Sequence, residues 1–213
     1  MMKQHRKTLI LTSIITLLPV VCGLLLWGQL PDSIATHWGL DSAANGWSSK
    51  PMAVFGIPLF LLAIHWICVL ATSADPKNKN SNGKPLRLVL WVCPMVSLLT
   101  GIMIYAAALG ITLDTWLLMP LFLGVMFIVI GNYLPKCKQN YTIGIKLPWT
   151  LASTENWNRT HRFSGALWVV GVIVIITDTF FRSTALLILC IALLAALPVL
   201  YSYVSYQRHD VEQ

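Results

Sequence analysis

Six apolar runs, each about as long as a bilayer is thick, constrain this chain more than any other feature. They lie near residues 8–28, 52–72, 86–109, 115–134, 163–181 and 184–204, and a spanning helix needs about 20 mostly apolar residues. Helices of a soluble protein show polar stripes at helical spacing, and these runs do not. Only 11% of the 213 residues are charged, against about 25% in soluble domains. So few charges cannot cover a globular surface. The expected fold is an all-α integral membrane protein with six transmembrane helices.

The basic residues give that fold a direction. With six crossings and a cytoplasmic N-terminus, thirteen of the 15 Lys and Arg residues fall on inner segments and two, Lys50 and Arg182, on outer ones. The positive-inside rule then places both termini in the cytoplasm. The net charge of +7 is accounted for by this asymmetry, and no direct nucleic-acid binding is expected. The first run is too long for a signal-peptide core and lacks a small-x-small site, so it is expected to remain as a span. Each half has three spans with its longest loop after the first, Leu30-Pro31 opening one and Leu134-Pro135 the other. That layout suggests a 3+3 inverted repeat. The chain divides into a two-span region, 1–72, with an outer loop at 29–51; a hydrophilic inner linker, 73–85, whose composition suggests mobility; and a four-span region, 86–213, with an inner loop at 135–162.

The outer loop carries Asp32, His37, Trp38, Asp41 and Trp47. Asn45-Gly46 is a turn-forming dipeptide because both residues tolerate positive φ, so the loop is expected to fold back on the outer surface. The two tryptophans suit the membrane–water interface. Asp32, His37 and Asp41 have metal-ligating atoms but no spacing signature, and no metal is expected there.

The inner loop is the most chemically varied stretch. It combines Asn132, Asn140, Lys146, Pro148, Trp149, Trp157, Arg159, His161 and Arg162 with turn formers. Ser153 or Thr154 is placed to cap a helix running unbroken into the fifth span, with Glu155 in its first turn. Glu155 and Arg159, Asn158 and Arg162, and Trp157 and His161 are i,i+4 pairs. Two readings stand side by side. In one the loop anchors at the inner headgroups, where each basic residue near an anionic leaflet is worth about 1 kcal/mol. In the other it is a docking surface for a cytoplasmic partner.

No zinc-protease motif, nucleophile elbow, phosphate-binding glycine loop or paired intramembrane carboxylates occur. Neither catalysis nor a cofactor is expected. The five cysteines are scattered, without a CxxC pair. His65, roughly 20 Å along its helix, is an intramembrane ionisable group and so a candidate site. The alternative is a neutral imidazole bonded to a neighbouring helix.

The inner-loop pattern resembles the SdpI family of bacterial integral membrane proteins. It is carried by Asn132, Asn140, Ile143-Gly144-Ile145, Pro148-Trp149-Thr150-Leu151, Trp157, His161-Arg162 and Gly165. The outer loop, from Leu30-Pro31-Asp32 through His37-Trp38 to Gly46-Trp47 and Lys50-Pro51, is similar to an uncharacterised N-terminal domain that often precedes it. Lys146-Leu147 departs from the family, which commonly has Arg-Thr there; charge is kept and bidentate geometry lost. The resemblance implies immunity against a secreted membrane-active peptide toxin. It also implies, for some members, a relay to a small transcriptional repressor inside. The outer residues would then contact the toxin and the inner ones the partner. The rival is a small-molecule or ion transporter using His65.

Overall fold

All six apolar runs are helical in the computed structural model, which describes residues 5–39, 43–77 and 84–209. Helix α1 is Arg6–Leu25 and is followed by strands β1, Ser33–Trp38, and β2, Ala44–Ser49. A π-helical turn, Met52–Gly56, leads into α2, Ile57–Ala74. Then come α3, Lys84–Ala108; α4, Thr115–Tyr133; the short α5, Pro148–Ala152; α6, Thr154–Phe181; and α7, Thr184–His209. Large apolar side chains stand exposed on every long helix, among them Leu25, Phe60, Ile102, Leu121, Ile173 and Leu200. A surface that apolar on all six is stable only where lipid solvates it. The fold is an all-α membrane protein.

Two compact units divide the spans three and three: residues 1–74 with 83–114, and 75–82 with 115–213. The sequence-based division had joined the third span to the C-terminal region, whereas α3 packs with α1 and α2.

In the first unit the three helices pack against one another pairwise. Pro19 interrupts α1, and the Tyr105 hydroxyl of α3 donates to its carbonyl at 2.6 Å. The bond ties α3 to α1 at the proline; the carbonyl that the missing N–H of Pro19 frees is that of Ile15, one turn earlier. The outer loop is a β-hairpin, a regular element beyond the all-α expectation, with Ser33 paired to Ser49 and Trp38 to Ala44. Ile34 and Trp38 face the helices and pack on a core of Leu30, Val54, Ile104 and Tyr105. The loop does fold back, but not at Asn45-Gly46. Those residues lie within β2, where the register slips opposite His37, and neither has positive φ. The two strands close instead at Gly39 and Ala43, the Gly39 N–H donating to the Ala43 carbonyl at 2.8 Å.

In the second unit α6 packs on both α4 and α7. The two units therefore share their number of spans but not their packing order. Ser153 caps α6, accepting the Asn156 N–H at 3.1 Å, and the helix runs unbroken from Thr154 to Phe181. Trp168 packs edge-on to Phe127 of α4 and donates to the Leu194 carbonyl of α7 at 2.9 Å. The α4–α6 crossing is close: a Cβ at Gly165 would meet the Gly131 carbonyl oxygen at 2.5 Å and Pro135 Cδ at 2.8 Å. Gly165→Ala should therefore cost about 1–3 kcal/mol through overpacking, seen as a lower Tm of the detergent-solubilised protein. Gly28→Ala, with nothing within 4 Å of its new methyl, should leave Tm unchanged.

Candidate functional site

The segment between α4 and α6 must satisfy its backbone without a long element of its own. A single 3-10 turn, Leu134–Lys136, follows α4. Asn140 then organises the chain around itself. Its amide donates to the Lys138 and Ile143 carbonyls, both at 2.9 Å, and its oxygen accepts the N–H groups of Thr142 and Ile143 at 2.9 and 2.7 Å. Gly144 follows with φ of 118°, and a Cβ there would strike His161 and Trp157. Only glycine lets the backbone pass this close.

Two α6 side chains, one turn apart, take up what remains. The Trp157 indole donates to the Cys137 carbonyl at 2.8 Å, and the His161 ring stacks on it with centroids 3.9 Å apart. Ile145 N–H points at His161 Nε2 at 3.0 Å, and Nδ1 lies 2.8 Å from the Trp157 carbonyl. An amide N–H can only donate, so Nε2 carries the lone pair and Nδ1 the proton. His161 is a neutral imidazole with both nitrogens engaged. Thr150 closes the far end, its hydroxyl donating to the Ile145 carbonyl at 2.8 Å and accepting the Leu147 N–H at 2.9 Å.

The start of the inner linker is docked into the same cap. Asp75 is buried, and its carboxylate accepts the N–H groups of Lys77 at 3.0 Å and Tyr141 at 2.7 Å. Lys77 Nζ reaches Gln139 Oε1 at 2.8 Å and lies 4.7 Å from the Tyr141 ring centroid. Gln139 in turn donates to the Thr150 and Leu151 carbonyls, both at 2.9 Å. Mobility, expected for 73–85 as a whole, does not describe Asp75–Lys77.

Of the inner-loop residues expected to face a partner, Asn140 and Trp157 are 0% exposed and His161 1%. They hold the cap together rather than present it, which corrects the docking assignment for those three. Trp149 is fixed to α7, donating to Ser202 Oγ at 3.0 Å between Tyr203 and Tyr206. Arg159 pairs with Glu155 at 3.2 Å. Asn132 bonds back to the Ile128 carbonyl at 2.9 Å. Lys146, Pro148 and Arg162 are exposed, Lys146 reaching the Thr142 carbonyl at 3.1 Å. Asp75, Gln139 and Asn156, which donates to the Ser202 carbonyl at 3.0 Å, were not singled out from sequence, and Thr150 entered only as part of the Pro148–Leu151 motif. Isolated polar residues give no periodic signal that would find them.

The hairpin sorts its residues by strand parity. Trp38 packs inward, while Trp47 is 60% exposed on the opposite face. Beside it His37 Nδ1 lies 2.6 Å from Asn45 Oδ1. Asp32 pairs with Lys50 at 3.4 Å. Asp41 lies outside the described residues. Among the described residues no group of three or more His, Cys, Asp or Glu is placed to hold a metal ion. His65 is 0% exposed, with Nε2 3.2 Å from the Thr12 hydroxyl.

Residues 136–202 match the SdpI/YfhL protein family, and residues 14–62 match a domain of unknown function, DUF1648. The chain is 27% identical over 209 residues, 95% of its length and 96% of the relative's, to Immunity protein SdpI of Bacillus subtilis (strain 168). No solved structure matches. Residues 136–202 thus carry an SdpI/YfhL segment, and the likeness to the relative runs along nearly the whole chain. The chain is a multi-pass protein of the cytoplasmic membrane. The SdpI/YfhL segment opens at the 3-10 turn and closes at Ser202, the residue that holds Trp149 and Asn156 to α7. The matched stretch is thus the folded cap together with the two helices that carry it.

His161→Phe should keep the stack on Trp157 but leave the Ile145 N–H without an acceptor. A buried unpaired donor costs about 1–3 kcal/mol. Thermal unfolding of the purified protein should report that loss, with Arg162→Gln close to wild type.

Proposed function

We propose that the chain is a membrane immunity protein that protects its cell from a secreted, membrane-active peptide. One observation carries the reading: the end-to-end similarity to an immunity protein comes with a surface suited to a peptide. On the hairpin, Trp47 projects beside the His37–Asn45 pair, offering an apolar plate next to hydrogen-bonding groups. An amphipathic peptide presents the complement of both. The hairpin rests on α3 and the π-helical turn, a rigid base for recognition.

The relay to a cytoplasmic repressor, implied by the family resemblance, would use the exposed part of the cap, namely Lys146, Pro148 and Arg162. The buried Asn140, Trp157 and His161 would act by holding that surface in shape. Two helix arrangements with different affinity for the peptide are required for such coupling.

Expression in a toxin-sensitive strain tests the protective role. Trp47→Ala should reduce survival under toxin while membrane abundance stays at the wild-type level, whereas Lys50→Gln should not. Full protection by Trp47→Ala would remove the hairpin from the mechanism. Solute flux lost specifically in His65→Ala would favour transport instead.

Orientation has its own measurement. A membrane-impermeant maleimide should label Trp47→Cys in intact cells and Lys136→Cys only after permeabilisation. The native Cys137 is a poor reporter: it is 3% exposed, and burial pushes its thiol up to about 11. The reverse labelling pattern would invert the proposed topology.

A further inference from the structure

Beside the cap the second unit has an open depression of about 570 Å³ that neither family match nor the immunity reading explains. It is lined by Pro76, Lys77, Lys138, Gln139, Thr154 and Asn158. Its volume lies within the range of small-molecule sites, about 300–1,000 Å³, but its wall is polar and cationic rather than apolar.

Each wall residue is placed by bonds already described. Lys77 is steadied by Gln139 and the Tyr141 ring, so its ammonium is oriented rather than free to wander. Lys138 sits on the rim, exposed. Among the described residues neither lysine has a carboxylate partner within 4 Å. The nearest acids in sequence are engaged elsewhere, Asp75 by the Lys77 and Tyr141 N–H groups and Glu155 by Arg159. Thr154 and Asn158, four apart on α6, offer a hydroxyl and an amide on one helix face. Thr154 also begins that helix, whose N-terminal end favours negative charge.

The depth of the site narrows the ligand. Candidate membrane spans end at Ala74 and Lys136, so Pro76 and Lys77, and Lys138 and Gln139, sit within three residues of a span end, the level at which headgroups lie. Thr154 and Asn158 lie on the polar first turns of α6, ahead of its apolar run from 163.

We propose that this depression binds the phosphate of an anionic phospholipid headgroup. Lys77 and Lys138 would neutralise it, and Thr154 and Asn158 would donate to its oxygens. A lipid so bound would bridge the linker after α2, the loop after α4 and the first turn of α6.

The test uses the purified full-length protein and measures binding of phosphatidylglycerol, phosphatidylcholine and soluble glycerol 1-phosphate. Phosphatidylglycerol should bind in preference to phosphatidylcholine. The Lys77→Gln/Lys138→Gln pair should weaken it about 30-fold, from about 1 kcal/mol per basic residue. Lys7→Gln/Arg208→Gln removes the same charge from exposed positions elsewhere and should bind like wild type. Should the first pair fail to fold, Asn158→Asp sets a carboxylate on the exposed wall and should produce the same selective loss. Equal weakening in the control pair would reduce the effect to general surface attraction and overturn the site, as would the absence of any preference for the anionic lipid. Tight binding of glycerol 1-phosphate without phosphatidylglycerol would overturn the lipid assignment in favour of a soluble phosphate ester.

Discussion

The second unit depends on a problem of hydrogen-bond supply. A chain leaving one span and entering the next must satisfy backbone groups beside an apolar medium, where each unmet group is expensive. Trp157 and His161 solve it from the helix side, delivering a donor to Cys137 and an acceptor to Ile145. Asn140 and Thr150 solve it from within the loop. The two solutions depend on each other, because the His161 ring meets the backbone at Gly144, a position no other residue could occupy without a clash. The neutral tautomer of His161 follows from this geometry. Polarity that looked available for chemistry is consumed by the fold.

What was legible in the sequence follows the strength of each physical signal. The spans were, because about 20 apolar residues in a row have few other solutions; the observed helices start and stop within a few residues of the expected limits, except that α6 begins at Thr154, well ahead of its apolar run. Ser153 as the cap of α6 and the Glu155–Arg159 pair were legible too, since both are local and periodic. The site was legible as a location but not as an arrangement. Trp157, His161 and Asn140 are residue types as common at interfaces as in buried polar networks, and only the folded loop decides between the two. Asn45-Gly46 misled for a related reason: tolerance of positive φ permits a turn without requiring one, and strand pairing across a register slip used those residues otherwise.

The two long connections show how little aromatic content alone says about exposure. Each holds a pair of tryptophans, and each pair is split. In the hairpin the split follows strand parity, Trp38 inward and Trp47 outward. In the cap Trp157 is sealed against the loop, while Trp149 leans on the tyrosines of α7. Neither assignment could be made from composition, since the first depends on strand parity and the second on which ring the folded loop met as a donor. The linker after α2 makes the same point for charge. Asp75 stands in a hydrophilic linker before a proline, yet it is a buried acceptor because two N–H groups of neighbouring chain point at it.

The polar seam of the first unit bears on whether His65 does more than pack. The Thr12 hydroxyl donates to Leu9, Thr16 to Thr12 and Ser97 to Thr16, each to a backbone carbonyl at 2.7–3.1 Å. The Thr12 hydroxyl also lies 3.2 Å from His65 Nε2, which adds α2 to the seam. The hydroxyls along this seam therefore have their protons committed to helix carbonyls, one of them across the α1–α3 contact. A seam of this kind joins helices, as interhelical hydrogen bonds do where no hydrophobic driving force remains between spans. The seam thus ties α1 to α3 directly and to α2 through His65, beneath the hairpin, while His65 Nδ1 stays buried without a hydrogen-bond partner among the described residues.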